Sequence, residues 1–383
     1  MGSQMPQQQS HTGPSATLPS WTYHSPAFLA AERDAIFMKS WQPVGHLSDI
    51  PSTGDYMRFS LLGEEALVVR GDDGTVRAFH NVCRHRASRL VKHDQGKCGR
   101  LLQCPYHGWS YDLTGRLVFV PGEAGFEGLD KSTVRLVALD VEVYHGLVFA
   151  RFGGDGPAVA EVFGAHEKTF RHYRIEEMQP LGRESRTELA VNWKVVVDNN
   201  NEAYHVPPAH PGLHRLFGDN YRLEVNDHGT SHGGSALTEG MDSPNWSERM
   251  YRRLLPTVEH LPAELQRSWH YISTFPSIAI DLYPDQVDFF QALPLGVDRC
   301  QFRSRSYALP DERRTMRAAR YLNDRINRLV GREDIDLVHG VQAGLASRSY
   351  QRGLLSREEA RLRQFHDEVR RCLPDACLDD EPV

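Results

Sequence analysis

The sequence is short of the features that mark several large classes of protein. Six cysteines in 383 residues are too few for the disulfide-dense scaffold of a small secreted domain. No apolar run approaches the ~20 residues that span a bilayer, and the first residues hold no apolar secretory core; a cytoplasmic protein with no membrane partner is the expectation. Positive charge is not in excess, since 44 lysines and arginines against 50 aspartates and glutamates leave a formal charge of −6. That balance argues against nucleic acid as a partner. No G-x-G-x-x-G follows a strand-like run, so a dinucleotide finds no phosphate cradle. What the chain does have is length, enough for two or three cores at roughly 100–200 residues each, and nineteen histidines.

Residues 1–19 are rich in Gln, Ser, Pro and Gly, and read as a disordered leader. Ser25 and Pro26 are an N-cap and a first helical residue, and Phe28, Leu29, Ile36 and Phe37 share a helical stripe. This predicts an N-terminal helix within 20–40, packed on the larger domain. From Tyr56 to Phe79 short β-rich runs flank the turn Asp72-Asp73-Gly74, and further turns at 113–115 and 153–156 extend an antiparallel region to about residue 155. Beyond it, helices are expected near 159–172, 192–205, 311–330 and 356–372, separated by strand-like runs such as HYISTF and SIAIDLY. The fold class that follows is α+β, with a small all-β domain at 41–155 and a larger sheet-and-helix domain at 156–383.

Two short motifs in the first domain each offer one thiol and one imidazole: Cys83-x-His85 and Cys104-x-x-His107, eighteen residues apart. Such a set suits tetrahedral zinc. It equally suits a Rieske [2Fe–2S] cluster, with two cysteines on one iron and two histidines on the other. The flanks decide between them, because CRHR followed by CPYHGWSYDLTGRL resembles the Rieske domain of ring-hydroxylating and related oxygenases. The gap between the loops, which includes Lys97 and Cys98, is slightly longer than is common there.

A cluster of this kind passes electrons, so a second site must carry out the chemistry. The stretch NWKVVVDNNNEAYHVPPAH holds Glu202, His205 and His210. On a helix Glu202 and His205 share a face, and Pro207 and Pro208 break the helix so that His210 can turn back. Two histidines plus a carboxylate from elsewhere make the facial triad of non-heme Fe(II) oxygenases; the plain alternative is a structural helix with capping histidines.

This stretch is similar to the mononuclear-iron motif of the same family. The resemblance implies His205 and His210 as iron ligands, Asp198 as a polar support near the iron, and Asp334 as the third ligand. Asp336 and Glu333 are its near alternatives, and a charge cluster at a helix start is the bland reading. It implies a catalytic domain of the ring-hydroxylating oxygenase type. It also implies a homotrimer in which Glu202 bridges His107 of one chain to His205 of its neighbour. Electrons from NAD(P)H would come through a separate flavin and iron–sulfur reductase, with a ferredoxin as a further partner, and O2 would be the co-substrate.

The glutamate at 202 resembles the subgroup acting on carnitine, glycine betaine and proline betaine, where most relatives have aspartate. N-demethylation or C–N cleavage of a quaternary ammonium compound is therefore the expected reaction. Tyr204, Phe217, Trp269, Tyr271, Phe275, Tyr283 and Phe289 are candidates for a cation–π cage. The competing readings are hydroxylation of an aromatic ring, N-dealkylation of an aromatic amine, and a non-catalytic electron-transfer or zinc-binding protein.

Overall fold

The computed structural model describes residues 16–226, 230–238 and 243–382. Residues 1–15 of the expected leader lie outside them. Residues 16–19 correct that expectation: the Thr17 N–H donates to the Gly353 carbonyl at 2.9 Å, and Leu18 is fully buried. Helix α1 (Pro26–Glu32) starts as its sequence dictates, the Ser25 hydroxyl accepting from the Phe28 N–H at 3.0 Å with Pro26 at a position that needs no donor. The helix then widens into a single π turn, Arg33–Phe37.

Ten strands follow: β1 (Gln42–His46), β2 (Asp55–Leu61), β3 (Glu64–Arg70), β4 (Val76–His80), β5 (Gln95–Lys97), β6 (Leu101–Gln103), β7 (Ser110–Asp112), β8 (Leu117–Phe119), β9 (Ala138–Tyr144) and β10 (Leu147–Arg151). Seven form one antiparallel sheet in the order β1-β10-β9-β4-β3-β2-β5, and β6-β7-β8 form a second. The turn at 72–74 joins β3 to β4 as expected. A tighter turn at Leu62-Gly63, where both residues have positive φ, adds β2 in front, so the region is a three-stranded meander. The longer inter-loop gap becomes β5, an edge strand on β2.

Helices α2 (Val159–Val162) and α3 (Glu167–Tyr173) lead into β11 (Gln179–Pro180), β12 (Ser185–Leu189), α4 (Trp193–Asn200), α5 (Val206–Ala209), α6 (Pro211–Phe217), β13 (Arg222–Val225), β14 (Thr230–Ala236), α7 (Trp246–Leu254), β15 (Ser268–Thr274), β16 (Ile278–Leu282), β17 (Val287–Gly296), β18 (Arg299–Ala308), α8 (Arg314–Leu345) and α9 (Ala360–Cys372). The sheet runs β11-β18-β17-β16-β15-β14-β13 with β12 also on β18, all antiparallel. Helix α8 overruns the expected end at 330 and reaches 32 residues. A single Gly331 costs only about 1 kcal/mol in a helix interior, and the buried stripe resumes at Val338 and Leu345.

Helix α4 is fixed to the N-terminal segment by a buried polar knot. Lys194 Nζ donates to Glu32 Oε1 at 2.7 Å and to the Thr22 carbonyl at 2.9 Å, while Trp193 Nε1 donates to Glu32 Oε2 at 2.9 Å. Both charges are fully buried, and each is paired.

Candidate metal centres and the adjoining cavity

The two Cys/His loops close by the same backbone pattern. Cys83 N–H donates to the Ser88 carbonyl and its carbonyl accepts from Ala87; Cys104 N–H donates to Trp109 and its carbonyl accepts from Gly108. The fourth residue after each cysteine, Ala87 or Gly108, has a positive φ of 57° or 73°. At Gly108 a Cβ would also meet Pro121 at 3.2 Å, so glycine suits the place twice over.

Folded this way, the loops bring their donors together. Cys83 and Cys104 are both buried, and His85 Nδ1 lies 3.1 Å from His107 Nδ1. Trp109 stacks on His85 at 4.8 Å and Tyr106 on His107 at 3.7 Å. The Tyr111 hydroxyl lies 3.3 Å from Cys83 Sγ and accepts from the Arg84 N–H. Burial pushes the Cys83 thiol pKa up, so a cation that stabilises the thiolate has most to gain here. Two shielded thiols on one side and two facing imidazole nitrogens on the other can hold a [2Fe–2S] cluster ligated by both residue types.

The second set sits past the end of α4. The expectation of a helix through Glu202 and His205 is corrected: α4 stops at Asn200, and residues 201–205 form a turn. Glu202 itself closes that turn. Its Oε2 accepts from the His205 N–H at 3.1 Å, and its Oε1 pairs with His205 Nδ1. Nor do Pro207 and Pro208 break a helix; they lie in the first turn of α5, where missing N–H groups cost nothing. His210 then leads into α6, its Nε2 3.1 Å from that of His205.

Helix α8 delivers the carboxylates. Asp334 Oδ1 lies 2.9 Å from His210 Nε2 and 3.6 Å from His205 Nε2. One donor atom from each of the three residues falls within 4.8 Å of the others, the one such group of three among the described residues. Two imidazole nitrogens and a carboxylate oxygen fit a facial Fe(II) site with open positions. Burial, the largest single effect, opposes protonation of His205, yet Asp334 and Glu202 outweigh it and push its pKa up to about 9. Burial also works against ionising Asp334, but the two imidazoles hold its pKa down at about 2. The set is built for positive charge.

Of the alternatives, Glu333 is not idle, because its Oε2 lies 2.8 Å from His210 Nδ1. Glu202 and Glu333 thus hold the outer ring nitrogens of the two histidines and aim their Nε2 atoms at Asp334. Asp336 is exposed. Asp198 is a correction: it accepts from Tyr23 Oη at 2.6 Å and pairs with His366 Nε2 at 3.0 Å, and it has no hydrogen bond to His205, His210 or Asp334 among the described residues. It shares a face of α4 with Lys194, four residues away, and that face meets the N-terminal segment.

A cavity of about 260 Å³ adjoins this set, lined by His205, His210 and Asp334 among others. Of the aromatic candidates it takes Phe217, Tyr271 and Phe275. It does not take Trp269 or Phe289, which are core, or Tyr283, which hydrogen-bonds Asp281 behind the wall, or Tyr204, which is 64% exposed. Sequence reasoning missed Tyr221, Phe290, Phe302 and Phe365 in the lining, along with the charged side chains of Asp281, Arg361 and Glu368. Burial raises Asp281 to about 8.

An α+β protein that pairs a thiol–imidazole set with a bis-imidazole–carboxylate set has the architecture of a Rieske-type oxygenase. The comparisons with known proteins agree: residues 40–137 match the Rieske [2Fe-2S] domain, and residues 171–375 match the catalytic domain of the ring hydroxylating alpha subunit. The chain belongs to that family, and is an oxidoreductase whose cofactors are a [2Fe–2S] cluster and a mononuclear iron. It is 30% identical over 337 residues to the carnitine monooxygenase oxygenase subunit of Acinetobacter baumannii, covering 87% of this chain and 86% of that one. The glycine betaine monooxygenase oxygenase subunit of Chromohalobacter salexigens is 37% identical over 197 residues, 51% of this chain and 44% of the relative. A crystal structure of a quaternary ammonium Rieske monooxygenase in complex with L-carnitine superposes with a TM-score of 0.77 at 25% identity, covering 93% of this chain and 96% of that one.

Proposed function

We propose that this terminal oxygenase oxidises a carbon attached to the nitrogen of a small quaternary ammonium compound, releasing a methyl group as formaldehyde or cleaving a C–N bond. The observation that carries this reading is the cavity at His205, His210 and Asp334. It is smaller than the roughly 300–1,000 Å³ of sites for drug-sized ligands, and two tyrosines, Tyr221 and Tyr271, stand 5.9 Å apart in its wall. Tyrosine faces attract a cation that cannot donate hydrogen bonds. The names of the relatives, carnitine and glycine betaine monooxygenase subunits, point the same way.

In this reading Cys83, Cys104, His85 and His107 hold the cluster, and His205, His210 and Asp334 hold the iron. Bound there, the two cofactors supply one-electron transfer and dioxygen reduction. The chain supplies placement. Glu202 and Glu333 fix the histidine rings, the aromatic wall excludes water, and the cavity holds the substrate next to the open side of the triad. For demethylation the balance is one substrate, O2, two electrons and two protons giving the dimethylamine product, formaldehyde, water and a proton.

The electrons are assigned to an NAD(P)H-dependent reductase, directly or by way of a ferredoxin. The assembly is assigned as a cytoplasmic homotrimer in which Glu202 faces His107 of the neighbouring copy; His107, half-exposed with an exposed Tyr106 against it, is open to such a contact. No helix of the described residues is long and apolar enough to cross a membrane.

A substrate panel tests the reading. With a surrogate reductase, trimethylammonium acids should give formaldehyde or trimethylamine in step with NAD(P)H oxidation, and benzoates should give neither product nor coupled oxidation. Hydroxylated benzoate without turnover of the ammonium acids would overturn it.

A further inference from the structure

Arginine is among the residues least often fully buried, and when buried it is paired. Arg361 breaks that rule. It is 3% exposed, lines the cavity that holds His205, His210 and Asp334, and its Nε and Nη2 have no hydrogen-bond partner. The placement is not incidental to the helix: Arg361, Gln364, Phe365 and Glu368, spaced three and four apart on α9, all face the cavity.

The nearby acids do not answer the guanidinium. Glu368 is bonded to Arg371, and Asp281 accepts from Tyr283 Oη at 2.9 Å. No ion pair joins either of them to Arg361 among the described residues. Burial lowers the Arg361 pKa only to about 10, so it stays charged, whereas Asp281, raised to about 8, is largely neutral at pH 7. The cavity wall therefore holds a guanidinium with no ion-pair partner among the described residues, and the planar donor fork of a guanidinium is the geometry that recognises a carboxylate.

We propose that Arg361 is a specificity-determining residue that binds the carboxylate of the substrate, so that the preferred substrate is a zwitterionic ammonium acid, held by its carboxylate on α9 with its N-methyl end toward His205, His210 and Asp334. The proposal rests on the quaternary ammonium reading above and narrows it. Choline, which has a cation and no carboxylate, and esters of the acids, which hide it, are disfavoured by the same arginine, since they leave the guanidinium both desolvated and unpaired.

The experiment compares glycine betaine and L-carnitine with their methyl esters on the iron-loaded holoenzyme, measuring KM and kcat by formaldehyde or trimethylamine release and binding by anaerobic calorimetry. The wild type should favour each acid over its ester by about 100-fold in KM, the scale of leaving one member of a buried charge pair without its partner. In Arg361→Met that ratio should collapse toward one, and in Arg361→Lys, which keeps the charge and loses the fork, it should be intermediate. An acid-to-ester ratio near one in the wild type overturns the proposal without help from any variant. Equal losses for acid and ester in a folded Arg361→Met protein overturn it too, since they show a structural role. Turnover of neither acid nor ester is a different failure, and removes the quaternary ammonium reading together with the carboxylate site built on it.

Discussion

Glu333 shows how much one side chain can depend on its neighbour in sequence. Adjacent to Asp334 on α8, it reaches His210 from the opposite ring nitrogen, Oε2 to Nδ1 at 2.8 Å. A ligating histidine whose outer N–H is held by a carboxylate is fixed in tautomer and direction. Glu333→Ala should therefore lower iron affinity by about 10–100-fold while leaving the Rieske absorbance unchanged. Iron content after dialysis against a graded chelator reads this directly; unchanged retention would show that His210 is oriented by packing alone. From sequence, Glu333 was visible only as a competing ligand, because spacing tells which residues are near each other along the chain and not which ring nitrogen each one meets.

At the scale of elements, the N-terminal segment and α4 form a unit through Lys194 and Glu32. Removing one partner of a fully buried pair strands the other, at a cost of about 3–5 kcal/mol. Lys194→Met should destabilise by that amount in chemical denaturation, and the double variant Glu32→Gln with Lys194→Met should recover most of it. A single-variant loss below 1 kcal/mol would mean that the pair is hydrated.

The legibility of the elements follows their physics. The Cys83 and Cys104 loops were readable because every donor lies within four residues of its partner and the turn residues are local. The end of α4 was not, since Glu202 looks helical by spacing, and only its bonds to His205 show that it closes a turn. Helix α8 ran past its expected end because tertiary burial of Val338 and Leu345 outweighs Gly331. The wall aromatics were half-legible: Trp269 shares a strand face with Tyr271, but it lies one pair further along β15, packed between Phe217 and Tyr251. Arg361 was invisible, because only the packing of α9 on the sheet sets its role.

For the molecule as a whole, buried ionisable groups set the response to pH. Burial raises Asp281 to about 8 and Asp288 to about 7, against about 4 for an exposed aspartate. The folded chain therefore holds protons that the unfolded chain has already released, and stability falls as pH rises toward 8. Buried imidazoles act in the opposite sense lower down, since burial drops His166 and His270 to about 4 and the unfolded chain takes up protons below about 6.5. Those imidazoles have fallen silent, and the buried acids and the raised His205 act in the same sense, in the window from pH 6.5 to 8. The thermal midpoint should decline across it, and Asp288→Asn, whose amide can keep a hydrogen bond to Gln286, should flatten the lower half of that decline. A midpoint that rises with pH in this window would contradict the burial of these carboxylates.

The same whole-molecule view joins the two centres. Glu202 holds the outer nitrogen of His205 with one oxygen while its backbone lies in a turn at the end of α4, and the reading offered here gives it the neighbouring copy's His107 as a second partner. The most direct measurement is a single turnover: the cluster is reduced chemically, excess reductant is removed, and glycine betaine or L-carnitine is added with O2 while cluster absorbance and product are followed together. The account predicts that cluster reoxidation and release of formaldehyde or trimethylamine rise together in the wild type. In Glu202→Gln, with its cluster spectrum intact, both should slow by about 10–100-fold. Reoxidation at the same rate in both proteins, with no product from either ammonium acid, would contradict it.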